Sequence, residues 1–169
     1  MNSFLPIVGN KPKVLILGSM PGQKSLQEHQ YYAHPRNAFW WIMSQILSFS
    51  NELNYTQKVS KLESSGIAVW DVLFSCQRSG SLDSNIERAS EVVNDIDGFL
   101  LANNTISLIA FNGGASKAIF KRHHGLLLGE YQSIQLPSTS PAHASVSKQN
   151  KFEVWRDAVS PYLSLKCNE

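Results

Sequence analysis

The run Val14-Leu15-Ile16-Leu17, followed at once by Gly18-Ser19-Met20-Pro21-Gly22, constrains this chain more than any other stretch. Four consecutive apolar side chains suit a strand buried on both faces, as in a parallel sheet with helices on each side. The glycines and the proline then impose a turn in which backbone N–H groups can be left bare. A polar and aromatic loop follows, ending in Tyr31-Tyr32-Ala33-His34-Pro35-Arg36-Asn37. Phe39, Ile42, Met43, Ile46 and Leu47 recur at helical spacing, so an amphipathic helix is expected over about 37–48. Polar groups set between a buried strand and a packed helix are costly unless they are used.

The rest of the chain repeats this rhythm. Strands are expected at 13–17, at Ile67 to Trp70 with Asp71 closing it, at 106–111 and at 130–136. Between them, Thr56 caps a helix that carries Val59 and Leu62 and stops at Gly66. Ser84 and Glu87 have capping-box spacing, which would restart helix at Asn85, and Ile96, Phe99 and Leu100 suit one face of a short helix. Asn112-Gly113-Gly114 turns the third strand into a helix around 115–123, and a last helix over about 148–163 carries Phe152, Trp155, Val159 and Leu163. This alternation predicts an α/β fold: a three-layer α/β/α domain spanning residues 1–169, with a central, mainly parallel four-stranded sheet. Ligands of such sheets bind at the carboxyl ends of the strands. Polar clusters follow every strand, at 18–37, 71–84, 112–117 and 137–143, so four loops should converge on one edge.

Composition narrows the partners. With 43% hydrophobic and 17% charged residues, the chain can bury a core and is not disordered. A net charge of +2 permits nucleic-acid binding through a local patch without demanding it. Cys76 and Cys167 lie far apart and no Cys/His zinc spacing occurs, so a reducing compartment and no metal are expected. No signal peptide and no apolar window of about 18 residues is evident, which points to a soluble intracellular protein without a membrane partner.

Gly18 to Ser25 nearly spells a phosphate-binding P-loop, with Lys24 and Ser25 in register and Asp71 as a magnesium-holding carboxylate. Gln23 stands where the second glycine belongs, Pro21 removes an N–H from the cradle, and residues 26–36 do not read as sustained helix. An ATPase or GTPase is therefore the weaker reading.

GSMPG after the first strand, YYAHPRNAFW at the helix entry and LPSTSPAHA near the C-terminus occur in that order, with FNGGAS as a weaker fourth motif. Together they resemble the uracil-DNA glycosylase superfamily over roughly 12–160, most closely its hypoxanthine-DNA glycosylase and mismatch-specific branches. The resemblance implies a monofunctional DNA glycosylase that flips out a deaminated base, hypoxanthine preferred, and hydrolyses its N-glycosidic bond to start base excision repair. A G:U or G:T mismatch enzyme is the alternative within the family; a catalytically idle DNA-binding relative is the alternative outside enzymes. No cofactor is implied. The implied partner is damaged DNA, bound by a monomer in the cytoplasm, at the nucleoid of a prokaryote.

Each motif residue also has a plainer role. Asn37 sits where a helix cap would, but the resemblance makes it catalytic: its uncharged amide would place the water that attacks a cationic sugar. In the mismatch-specific branch an Asn at position 20 would hold that water, and Met20 cannot. Tyr32 would stack on the extruded base, with loop packing as its plain role. Asp71 would accept a ring N–H of the base, beside backbone N–H groups of Gly18, Ser19 and Met20, with Ser75 bordering the same site. Its plain role is a cap or an ion pair with Arg78. Arg36, Arg78, Lys117, Ser138, Thr139 and Ser140 are the candidate contacts to DNA. Many uracil-specific members place a His before the Pro-Ser of the last motif, and here that position is Leu136.

Overall fold

The first strand organises the molecule. In a computed structural model, which describes residues 1–163, β1 (Val14–Gly18) has every residue buried. It lies between β2 (Ile67–Asp71) and a later strand, β5 (Leu108–Asn112), pairing in parallel with both. β6 (Gln132–Leu136) adds to β5, also in parallel, to give the order β2-β1-β5-β6. Side chains alternate across this sheet. Val14, Ile16, Ile67, Val69, Leu108 and Ala110 join one core, while Leu15, Leu17, Ala68, Ile109 and Phe111 join the other.

Helices cover both faces. Against the first core pack α2 (Phe39–Leu47), α3 (Tyr55–Ser65) and α6 (Lys148–Val159), through Phe39, Ile42, Met43, Leu62, Trp155 and Val159. Against the second pack α4 (Ile96–Ala102) and α5 (Gly114–His124), through Ile96, Leu100, Ile119 and Phe120. The three-layer α/β/α architecture expected from the alternation is therefore present.

Three local expectations are corrected. Helix α3 is capped by Asn54, not Thr56: Asn54 accepts from the Gln57 N–H, and the Gln57 side chain accepts from the Asn54 N–H. The Ser84/Glu87 spacing makes no α-helix. Glu87 N–H donates to the Gln77 carbonyl and Ile86 bridges Arg78, so the segment is drawn against the extended stretch upstream of it. It forms 3-10 turns at Asp83–Asn85 and Arg88–Ser90, beside a small antiparallel pair, β3 (Leu73–Ser75) and β4 (Val92–Val93). A six-residue helix, α1 (Gln23–Glu28), does start directly after Gly22, in a stretch that reads as loop because one and a half turns are too short for a periodicity. Cys76 is buried, and Cys167 lies outside the described residues. No helix among the described residues is long and apolar enough to cross a membrane.

Candidate active site

The carboxyl ends of β1, β2 and β5 and the loop after β6 enclose one cavity of about 160 Å³. That is close to the ~150 Å³ that holds a single benzene ring, and this cavity opens outward. Its floor is the junction of β1 and β2. Gly18 pairs with Asp71 across the sheet, and a Cβ on Gly18 would stand 2.5 Å from Asp71 Oδ1 and 3.2 Å from the Tyr32 hydroxyl. Only a glycine admits both groups over this strand end.

Asp71 is 4% exposed, and its Oδ2 has no hydrogen-bond partner among the described residues. Burial, with added repulsion from Asp83 and partial relief from Arg78, pushes its carboxyl up to about 7. The Tyr32 hydroxyl is likewise buried without a partner, and burial followed by repulsion from Asp71 raises its pKa further. Tyr32 has φ 55°, a left-handed conformation costing a non-glycine residue about 1–3 kcal/mol. Its surroundings hold it there. Phe39 stacks on the ring at 4.0 Å between centroids, and the next N–H, of Ala33, donates to Ser25 Oγ. Two unpartnered polar atoms and a strained aromatic thus share one cavity.

Asn37 also lines the cavity. Its Oδ1 accepts from the Phe39 N–H at 3.0 Å, which orients the amide and ties down an otherwise free donor at the start of α2. The oxygen keeps a second lone pair, so the capping bond does not preclude holding a water. The loop after β6 is anchored to this wall: Thr139 N–H donates to Asn112 Oδ1, Asn112 Nδ2 donates to Thr139 Oγ1, and Ala38 N–H donates to the Thr139 carbonyl. Gly113, at φ 94°, lets the chain pass Ser138, whose Cβ would lie 3.0 Å from a Cβ on residue 113. Lys151, also buried, donates to the His143 carbonyl and holds the far end of the loop.

Gly18, Ser19, Met20, Tyr32, Asn37, Asp71, Ser138, Thr139 and Ser140 all line the cavity. Three residues expected near DNA or base do not line the cavity. Arg78 is buried and donates to the carbonyls of Pro21 at 2.6 Å, Met20 at 3.5 Å and Gly80 at 3.0 Å, with Asp83 at 3.8 Å. Its guanidinium braces the Gly18–Gly22 turn instead of reaching a phosphate, and it makes no ion pair with Asp71 among the described residues. Ser75 sits on β3, outside the lining, because β2 ends at Asp71 and the chain turns away. Lys117 is half-buried on α5, also outside it. Arg36 is exposed in an adjoining groove, and Thr139 is buried with its hydroxyl engaged by Asn112. Leu136 packs in the core and does not line the cavity.

Sequence reasoning missed Asn112 and Asp83 as lining residues. Asn112 carries the signal that singled out Asp71, a polar residue closing a buried strand. Asp83, which accepts from Ser19 Oγ at 2.6 Å, lies in a polar loop without any such signal. The P-loop pair is engaged elsewhere although both residues line the cavity: Lys24 pairs with Glu28 at 2.6 Å along α1, and Ser25 is buried with its Oγ accepting from the Ala33 N–H.

A parallel α/β sheet with a pocket at its carboxyl edge, lined by an aromatic, a buried carboxyl and an oriented amide, has the architecture of an α/β ligand-binding domain, with room for about one ring. The chain belongs to the uracil DNA glycosylase superfamily, whose sequence profile matches residues 6–163. It is 32% identical over 152 residues to a hypoxanthine DNA glycosylase of Methanosarcina acetivorans, covering 89% of this chain and 92% of that one. A hypoxanthine DNA glycosylase of Methanosarcina barkeri is 33% identical over 114 residues, 67% of this chain and 71% of the relative. Among solved structures, a solution structure from Methanosarcina acetivorans, described as a candidate uracil DNA glycosylase, superposes with a TM-score of 0.76. It shares 30% identity, with 92% of this chain and 96% of that chain covered.

Proposed function

We propose that this DNA glycosylase releases hypoxanthine in preference to uracil, with Asn37 placing the attacking water and Asp71 and Tyr32 holding the base. The observation that carries the reading is the pair of buried, unpartnered atoms on the cavity wall, Asp71 Oδ2 and the Tyr32 hydroxyl. Buried polar groups are ordinarily satisfied, and two orphans beside an open cavity leave room for a ligand that satisfies both. Hypoxanthine offers a ring N–H next to a carbonyl: the carboxylate accepts the first and the phenol donates to the second. As the glycosidic bond breaks, negative charge grows on the base, and donors already in place stabilise it without reorganising. The sugar becomes cationic on the Asn37 side, where water needs positioning more than deprotonation. Met20, 6% exposed, supplies an apolar wall suited to the larger purine face. The names of the two Methanosarcina relatives support the same base.

The glycosylase names of the relatives support damaged DNA as the partner, and our reading is of a monomer acting on deaminated DNA in the cytoplasm, at the nucleoid. Matched single-turnover rates on duplexes differing only in the damaged base test the preference. Hypoxanthine should leave at least ~10-fold faster than uracil, about 1.4 kcal/mol in the barrier. Faster uracil release would overturn it and leave the mismatch-directed alternative.

A further inference from the structure

Beside the cavity runs a second concavity whose charged lining is cationic. It is lined by Arg36, Trp41, Asn51, Tyr55, Lys58 and Lys148 among others, and among the described residues no Asp or Glu lines it. The chain as a whole carries 15 Lys and Arg against 13 Asp and Glu, so three cations without a carboxylate are a local concentration. None of the three has an acidic partner within ion-pair distance among the described residues. Their positions converge from three parts of the fold: the loop before α2, the middle of α3 and the first turn of α6.

The aromatic surfaces are matched to the charges. Lys148 Nζ lies 4.2 Å from the Trp41 ring centroid, and Lys58 Nζ lies 6.0 Å from that of Trp40. Trp41 is braced edge-on by Phe152 at 5.8 Å. Lys58 is half-buried, and its burial lowers its pKa, a cost that an anion in the groove would offset. Cations interleaved with aromatic planes are the surface chemistry of single-stranded nucleic-acid binding. The groove is also continuous with the cavity, because Tyr32, His34 and Asn37 line both.

We propose that this groove is the track for the DNA strand that carries the extruded base, with Arg36, Lys58 and Lys148 on its phosphates and Trp41 against a neighbouring base. The inference rests on the glycosylase reading and extends it, since Trp41, Lys58 and Lys148 lie outside the cavity. It also implies that one strand suffices for the contact.

The test uses a short single-stranded oligonucleotide containing hypoxanthine, and the same strand in a duplex. Lys58→Gln combined with Lys148→Gln should weaken binding at least ~10-fold and flatten the log–log salt slope by about 1.4, at roughly 0.7 per lost single-strand phosphate contact. The loss should be alike for both substrates. Single-turnover release at saturating enzyme should stay within about two-fold, because these side chains act in binding and not at the reacting bond. Lys61→Gln, an exposed charge on the same helix outside the groove, should change neither. Trp41→Leu should weaken binding without changing the slope; if it does not fold, the lysine pair still decides. A slope in the double variant equal to that of Lys61→Gln would overturn the proposal. So would a fall in saturated rate with unchanged affinity. If the parent protein binds DNA but releases no base, the proposed function fails while affinity and slope still judge the groove.

Discussion

Asn37 satisfies a backbone donor and faces the cavity at once, so its two roles can be separated by measurement. Asn37→Ala should slow single-turnover base release by two or more orders of magnitude, while DNA affinity stays within a few-fold. The lost capping bond should cost about 1 kcal/mol of stability. A variant that melts earlier yet keeps its rate would reduce Asn37 to a cap. Asp71 makes a second prediction, in pH. Its folded pKa, raised to about 7, lies above the ordinary carboxylate value, so the unfolded chain gives up the proton first as pH rises. Its contribution is therefore most favourable at low pH and declines from about pH 4 to about pH 7. Asp71→Asn cannot ionise. It should match the parent in melting temperature near pH 4 and exceed it above pH 7, by scans across that range; a constant difference would mean the carboxyl titrates normally.

At the scale of elements, the turn between β1 and α1 is held from two sides, and both are testable. A Cβ on Gly18 would collide with the Asp71 carboxylate, which is buried and cannot swing away. Gly18→Ala should cost about 1–3 kcal/mol by overpacking. In an Asp71→Ala background most of that cost should vanish, a coupling that a double-mutant cycle in denaturant would read. Arg78 braces the same turn through two carbonyls, of Met20 and Pro21. Arg78→Lys cannot reproduce the planar fork, so it should lower stability by about 2 kcal/mol and slow base release, with the salt slope for DNA unchanged. A reduced slope would restore Arg78 as a phosphate contact. The elements themselves were readable where burial imposes a period: β1, β2, β5 and the helices facing them have apolar residues that neighbours on both sides require. Unreadable were α1, too short to show a stripe, and segment 73–93, whose shape depends on bonds such as Glu87 to Gln77 that local sequence does not announce. Asp71, closing a buried strand, was legible for the same reason, since polarity there is expensive, and Asn112 carries the same signal. Arg78 misled because a lone Arg in a polar loop looks solvated, and only the fold shows it turned inward.

Over the whole molecule, charge is divided where the sequence total hides it. The cavity is lined by Asp71 and Asp83 with Lys24 as its one Lys or Arg, and the groove beside it holds Arg36, Lys58 and Lys148 without a carboxylate among the described residues. A net charge of +2 would suggest weak, salt-tolerant contact with DNA. The divided arrangement says otherwise: phosphates are drawn to the groove, while the carboxyls of the cavity disfavour a phosphate there. Three phosphates neutralised along one strand set a slope of about −2 in log affinity against log salt, and further backbone contacts from Ser138 or Ser140 add affinity without adding to it, because a hydroxyl releases no counterion. Affinity should then fall roughly 16-fold between 50 and 200 mM salt, measured by anisotropy on an uncleavable substrate. A slope near zero would mean that hydroxyls and backbone amides carry the contact alone. A slope much steeper than −3 would mean that cations beyond the groove, Lys117 among them, also reach the backbone.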